Sequence, residues 1–94
     1  MIASIRCRET QCVYDGDRSR RLPNQLQEMM QRKLRMLDAA TQLDDLRNPP
    51  GNRLEKMKGD RAGQHSIRVN DQWRVCFRWR KGQAHDVEIV DYHG

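Results

Sequence analysis

The stretch Trp73-Arg74-Val75-Cys76-Phe77-Arg78-Trp79-Arg80-Lys81-Gly82-Gln83-Ala84-His85-Asp86-Val87-Glu88-Ile89-Val90-Asp91-Tyr92 decides the fold. From Trp73 to Trp79 every second residue is a large apolar one, the period of a half-buried strand, and the apolar pattern resumes after the turn pair Lys81-Gly82. Strands joined by so short a link pair antiparallel, because a parallel return needs a crossover of a dozen or more residues. With Lys81-Gly82-Gln83 as the loop, Phe77 faces Val87, Val75 faces Ile89, Arg78 faces Asp86 and Cys76 faces Glu88. Trp73, Val75, Phe77 and Trp79 then cover a long helix read further upstream. Arg74, Arg78, Val90 and Tyr92 fall on the other side, a cationic and water-exposed face.

Upstream, Leu54 to Met57 and His65 to Asn70 read as two more strands, with turns at Gly59-Asp60 and Asn70-Asp71. Asn48-Pro49-Pro50-Gly51 stops any helix before them. Earlier still the period changes: Leu22, Leu26, Met29, Met30, Leu34, Leu37 and Ala40 recur mostly at spacings of three and four, one apolar stripe on a long helix. Pro23 or Asn24 sits at its start, and Gln27, Gln31, Arg32 and Arg35 form its outer face. Thr41 is placed to cap a short turn from Gln42 to Leu46. Ile2 to Cys7 alternates as a short first strand, Glu9 to Tyr14 has room for one or two helical turns, and residues 15–19 form a polar loop. The expected class is α+β, a small antiparallel β-sheet with N-terminal helices packed on one face. At 94 residues, one domain, 1–94, is expected to hold a single modest core.

Eighteen Lys and Arg against thirteen Asp and Glu give a net charge of +5. Residues 1–48 hold nine bases and seven acids, and the remainder nine and six, so the excess is spread over the chain. A basic balance of this kind favours polyanionic partners through counterion release and steering. Cys7, Cys12 and Cys76 are odd in number and lack C-x-x-C spacing, which indicates neither a disulfide framework nor a zinc site and leaves reduced, inert thiols. No apolar run has the length of a signal peptide core or a membrane span, so a cytoplasmic location without a membrane partner is expected.

Three signatures, Lys58-Gly59-Asp60-Arg61, Trp73-Arg74 and the terminal Asp91-Tyr92-His93, stand within a longer likeness that runs from Leu54 to Val75 and from Val87 to His93. In this combination the chain resembles the HigB group of the RelE/ParE toxin superfamily. Leu37-Asp38-Ala39-Ala40-Thr41 and Pro49-Pro50-Gly51-Asn52-Arg53-Leu54 are most similar to its GraT-type branch. The resemblance implies a RelE-like microbial RNase toxin fold and the toxin of a type II toxin-antitoxin system. It also implies a ribosome-dependent endoribonuclease that cuts mRNA and arrests translation and growth. The implied partners are the ribosome and mRNA, and a HigA-like helix-turn-helix antitoxin that neutralises the toxin; operator DNA is met only through the antitoxin complex. Two alternatives belong to the same superfamily: a ParE-like inhibitor of DNA gyrase that cuts no RNA, or a toxin with weak or no intrinsic RNase activity that acts by binding the ribosome.

RNA cleavage without a metal or other cofactor requires three things: a deprotonated ribose 2′-OH, stabilised charge on pentacovalent phosphorus, and a protonated 5′-oxygen leaving group. Arg74 is the first candidate for the phosphate, because its planar fork binds two nonbridging oxygens and keeps its charge. Lys58 matches the family's basic position as a second cation. His93 is the natural proton-transfer group, having an unperturbed pKa of roughly 6.5. Tyr92 is placed to stack on a base or orient the scissile phosphate, and Asp91 to accept a proton or hold His93, although the register puts Asp91 opposite Arg74. Lys56, Arg61 and Arg78 read as contacts to the RNA backbone. Many relatives carry histidine where this chain has Glu55; Glu55 replaces it as acid or base only if its surroundings raise its pKa, and pairing with Lys56 or Lys58 would keep it ionised. The plainer alternatives are a surface salt bridge from Arg74 to Asp86 or Glu88, core roles for Trp73 and Trp79, and ordinary half-exposed positions for His65 and His85.

Overall fold

In the computed structural model residues 1–92 are described, and the element order is α1 (Arg8–Tyr14), α2 (Gln27–Ala39), β1 (Glu55–Lys56), β2 (His65–Arg68), β3 (Trp73–Arg80) and β4 (Gln83–Asp91), with 3₁₀ turns in the connections. The four strands form one antiparallel sheet in chain order. This is the α+β arrangement expected, with α1 and α2 packed on one sheet face.

β3 is flanked on both sides, so its period-two alternation partitions the molecule. Val75 and Phe77 point into the core and are fully buried, together with Ile67 of β2, Val87 of β4 and Met30, Leu34 and Leu37 of α2. Trp73 and Trp79 extend the same side as half-buried packing, as expected. Burying a Leu or Phe side chain stabilises the fold by about 1.5–3 kcal/mol. The α2 stripe therefore holds the helix on the sheet more firmly than any cap, and its N-cap, Leu26, makes no side-chain capping bond.

Three expectations for α2 are corrected. The helix is preceded by a 3₁₀ turn, Asn24–Leu26, and becomes α-helical only at Gln27. Gln27 lies on the inner side: its Nε2 donates to the carbonyls of Ser19 (2.6 Å) and Leu22 (2.9 Å), and its Oε1 accepts from the Ser19 N–H (2.9 Å). Those bonds fold the preceding loop onto the first helical turn, which explains a buried amide there. Met29, by contrast, turns to solvent. After α2 the cap of the Leu43–Arg47 turn is Gln42, in a capping box with Asp45, and Thr41 adds its own N–H and hydroxyl to the Asp45 carboxylate.

The β3–β4 hairpin is tighter than expected. Arg80 pairs with Gln83, leaving the two-residue turn Lys81-Gly82, in which both residues have positive φ (50° and 75°) as a primed hairpin turn requires. The residue removed from the loop reappears inside the ladder. Val75 faces Ile89 and Cys76 faces Glu88 as anticipated, but Arg78 faces His85, so Asp86 and Val87 together oppose Phe77 across a β-bulge. Asp86 takes φ +53°, a short polar residue at the position where the bulge bends the strand. β1 is shorter than the expected strand, and β2 ends at Arg68.

The expected first strand is reduced to two parallel bridges, Ile2 to Ala84 and Ile5 to Val87. With them go N–H bonds from Ala3 to Ala84 O (2.7 Å) and from Arg6 to Val87 O (2.8 Å), and Ile89 N–H donates to Thr10 Oγ1 (2.9 Å). The outer edge of β4 is thereby covered. The segment is secured to α2 by Asp38, which accepts from the Ile2 N–H (2.8 Å) and the Tyr14 hydroxyl (3.0 Å). The Ile2 N–H bond, followed by the Tyr14 hydroxyl, the N-terminal ammonium and Arg35, holds the Asp38 carboxyl below its usual range against the opposing effect of burial. The native state then binds fewer protons than the unfolded chain, so this contribution is full above the unfolded pKa near 3.9 and is lost as pH falls through the folded value. Asp38→Asn is expected to destabilise by about 1 kcal/mol at pH 7, the lower range for a charged hydrogen bond in a partly exposed site. Urea unfolding at pH 7 and pH 3 measures the difference between the two proteins; a gap equally wide at both pH values contradicts the assignment.

Candidate functional site

The sheet face turned away from the helices carries Glu55 of β1, Ser66 and Arg68 of β2, Arg74, Cys76 and Arg78 of β3, and Glu88 and Val90 of β4. Register alone brings Arg68 directly opposite Arg74. Like charges facing each other across a sheet repel, so this pair needs anions around it. Two carboxylates supply part of them: Asp71 pairs with Arg68, and Glu55 Oε2 lies 3.3 Å from Arg74 Nη2.

Arg74 is not the water-exposed residue anticipated from alternation. Its side chain is only 9% exposed, because β1 and the turn before it close over the sheet. Nε donates to Ser66 Oγ (2.7 Å) and Nη2 to the Arg53 carbonyl (2.6 Å), with the Ser66 carbonyl at 3.5 Å. Nη1 has no hydrogen-bond partner among the described residues. Two of its three nitrogens are held, and the N–H donors of Nη1 are spare. Glu55, not Asp86 or Glu88, is its carboxylate partner, and Glu55 pairs with Arg74 rather than with Lys56 or Lys58. Asp86 and Glu88 serve Arg78 (3.8 Å) and Arg61 (3.2 Å).

Around this guanidinium lies a cleft of about 290 Å³ lined by Arg53, Glu55, Arg68, Asn70, Asp71, Arg74 and Tyr92. Three candidates from the sequence, Arg74, Glu55 and Tyr92, therefore meet. Tyr92 reaches the rim because the Gln72 carbonyl accepts its backbone N–H at 2.6 Å just past the end of β4. Asp91 pairs in register with Trp73, on the opposite side from Arg74, and accepts from Gln72 Nε2 (3.0 Å). His93 lies outside the described residues.

The remaining candidates are elsewhere. Lys58 is exposed and precedes the Gly59–Arg61 turn, and it is not part of the cleft lining. Lys56 pairs with His65, one residue out of phase with Glu55, and lies on the other side of β1. Arg61 and Arg78 line a second cleft of about 470 Å³ with Arg6, Asp60, Gln64 and Glu88. Gly63, with φ +92°, leaves room there: a Cβ on it would stand 2.9 Å from Arg78 Nη1. Cys76 forms the buried floor between the two groups, and loss of hydration pushes its thiol pKa up. A larger cleft, about 510 Å³ between α1 and the 15–21 loop, contains none of these residues and mixes acids with bases.

Sequence reasoning missed Ser66, Arg68 and the Arg53 carbonyl. The hairpin over Asn70-Asp71 was the available signal for the first two, since pairing across it sets Arg68 against Arg74 and Ser66 two residues further along the same face. The Arg53 carbonyl leaves no trace in the sequence. It is aimed by a left-handed residue, φ 44° and ψ 59°, after the Pro50–Asn52 turn.

A buried Arg fork, a facing second Arg, a carboxylate and a phenol surround one open cleft, and likeness to known proteins says what kind of chain carries it. Residues 9–93 match the HigB-like toxin family, the RelE-like toxin of the type II toxin-antitoxin system HigB. The chain belongs to that family. It is similar to Toxin HigB-1 of Vibrio cholerae, 47% identical over 74 residues that cover 79% of this chain and 78% of that protein. It is also 30% identical over 93 residues to Endoribonuclease HigB of Proteus vulgaris, covering 99% of this chain and all of the relative. An uncharacterized protein of Haemophilus influenzae is 33% identical over 74 residues, 79% of this chain and 73% of its own length. This HigB-like protein is a toxin of a toxin-antitoxin system and has an antitoxin as partner. Among the described residues no helix is long and apolar enough to cross a membrane.

Arg74→Lys keeps the charge but cannot span Ser66 Oγ, the Arg53 carbonyl and Glu55 together. The substitution is expected to cost about 1–3 kcal/mol through the buried acceptors left unpaired. Equilibrium urea unfolding measures it, and an unchanged midpoint would show that the fork's bonds contribute nothing to folding.

Proposed function

We propose that this HigB-like toxin is a metal-independent endoribonuclease that cuts mRNA on the ribosome in the cytoplasm. The observation that carries the reading is the Arg74 fork, anchored through Nε and Nη2, with Nη1 unbonded among the described residues, in a cleft shared with Arg68, Glu55 and Tyr92. An anchored guanidinium needs no reorganisation as charge develops on a phosphate, which is how preorganised donors lower a barrier. The Proteus vulgaris relative, named an endoribonuclease and aligned over nearly the whole chain, supports the same chemistry.

In this reading the ribose 2′-oxygen attacks the adjacent phosphorus, and the 5′-oxygen leaves to give a 2′,3′-cyclic phosphate and a 5′-hydroxyl end. Arg74 holds two nonbridging oxygens as the pentacovalent charge forms, with Arg68 and Arg53 adding positive potential. Phosphate entering the fork displaces Glu55 from Nη2, and the freed carboxylate stands beside the 2′-OH as proton acceptor. His93, one residue beyond Tyr92, gives the proton to the leaving oxygen, Tyr92 stacks on a neighbouring base, and Asp91 orients the terminal segment. Arg61 and Arg78, together with Lys56 and Lys58, hold flanking RNA backbone. The ribosome supplies strand positioning, so the protein provides only part of the barrier reduction. The antitoxin in this reading is a HigA-like helix-turn-helix protein that contacts operator DNA for the pair.

Arg74→Ala is expected to lower mRNA cleavage at least about 100-fold and to relieve growth arrest on induction, and His93→Gln to do the same through loss of proton transfer. Both proteins are expected to keep antitoxin binding. Mapping transcript ends in translating cells measures cleavage directly. Chromosomal breaks that precede any loss of transcripts would instead identify a gyrase poison, and unchanged toxicity of both variants would reject these residue roles.

A further inference from the structure

A buried lysine that the proposed chemistry does not touch lies behind the site. Lys33, on α2, is 8% exposed, and among the described residues no carboxylate forms an ion pair with it. Its Nζ donates to Asn52 Oδ1 at 2.6 Å. Asn52 is completely buried, and its Nδ2 donates to the carbonyls of Leu46 and Asn48 (3.2 Å each) and contacts Met36 Sδ (3.0 Å). Burying an ammonium without a counter-charge is unfavourable, and an apolar side chain would fill this side of the helix more cheaply.

The next residue along the chain shows what the arrangement holds. Asn52 closes its turn through N–H to Pro49 O (2.9 Å), and Arg53 follows in the left-handed region with its N–H on Pro50 O (3.1 Å). In that conformation the Arg53 carbonyl meets Arg74 Nη2 at 2.6 Å. From this chain of contacts we infer that Lys33 and Asn52 are positioning residues: a buried strut from α2 that fixes the Arg53 carbonyl and, through it, the Arg74 guanidinium in its phosphate-binding pose. Neither residue lines the cleft, and both are buried. The role in phosphate binding rests on the proposed ribonuclease reading; the mechanical link from α2 to Arg74 does not.

The link is read by the side-chain Nε–H signal of Arg74 in ¹H–¹⁵N NMR spectra of the purified protein, assigned by its loss in Arg74→Lys. Lys33→Met and Asn52→Ala are compared with the original chain, with the backbone amides of Val75 and Ile89 as folding controls. Should Asn52→Ala fail to fold, Lys33→Met decides, since removing a buried unpaired charge leaves the rest of the Asn52 network in place. The expected result is a displaced Arg74 signal whose exchange with solvent is at least about tenfold faster, the equivalent of loosening one hydrogen bond by roughly 1.4 kcal/mol. In a translation reaction the same variants should cut mRNA at least about tenfold more slowly, and the loss should disappear in an Arg74→Ala background, where no guanidinium remains to be placed. An unmoved Arg74 signal in folded Lys33→Met overturns the strut whether or not RNA is cut. A moved signal in a protein whose unsubstituted form cuts no transcript upholds the strut and removes the ribonuclease reading.

Discussion

Every element takes its place from the two-sided commitment of β3. A central strand paired on both edges has no freedom to slip, because a shift of one residue would turn Val75 and Phe77 to solvent and drive Arg74 and Arg78 into the apolar core. The helices answer one side of that strand with Met30, Leu34 and Leu37. The other side is left to charged groups. The β-bulge at Asp86 reconciles this register with a two-residue turn, so that the tight Lys81-Gly82 link and the Val75–Ile89 pair coexist.

The same constraint explains why a guanidinium can be nearly buried without destabilising the fold beyond repair. Desolvating a lone charge costs several kcal/mol, and the deficit is offset only when its donors are satisfied with good geometry. Around Arg74, Ser66 is delivered by β2, the Arg53 carbonyl by a left-handed turn and the Glu55 carboxylate by β1. Three separate segments converge on one side chain. Such a group is held in place by the protein itself, and in the proposed reading a phosphate displaces only the exposed Glu55 carboxylate.

Much of this was legible in the chain. The strand period, the turn dipeptides and the α2 stripe led to the correct class, the correct order of the later strands and the Val75–Ile89 and Cys76–Glu88 pairs. Arg74, Glu55 and Tyr92, all singled out with the help of family likeness, line one cleft. The errors share a cause. Polarity alone places Gln27 on the outer face, whereas the preceding loop brings its backbone groups to the Gln27 amide. Alternation likewise turns Arg74 to open water, because it tells which face a residue is on and says nothing of what lies above that face.

The amino-acid sequence by itself determined the periodicities, and hence which residues share a strand face or a helix stripe, because side-chain direction along a regular backbone repeats locally. It also determined the charge inventory and the family. Only the tertiary structure decided that Arg74 would be roofed over, that its carboxylate would be Glu55, that Arg61 and Arg78 would gather in a separate cleft, and that Lys33 would reach Asn52 across nineteen positions of chain. Those outcomes depend on long-range closure of irregular turns, above all the left-handed step at Arg53, whose backbone carbonyl acts at the site without any side-chain signature to announce it.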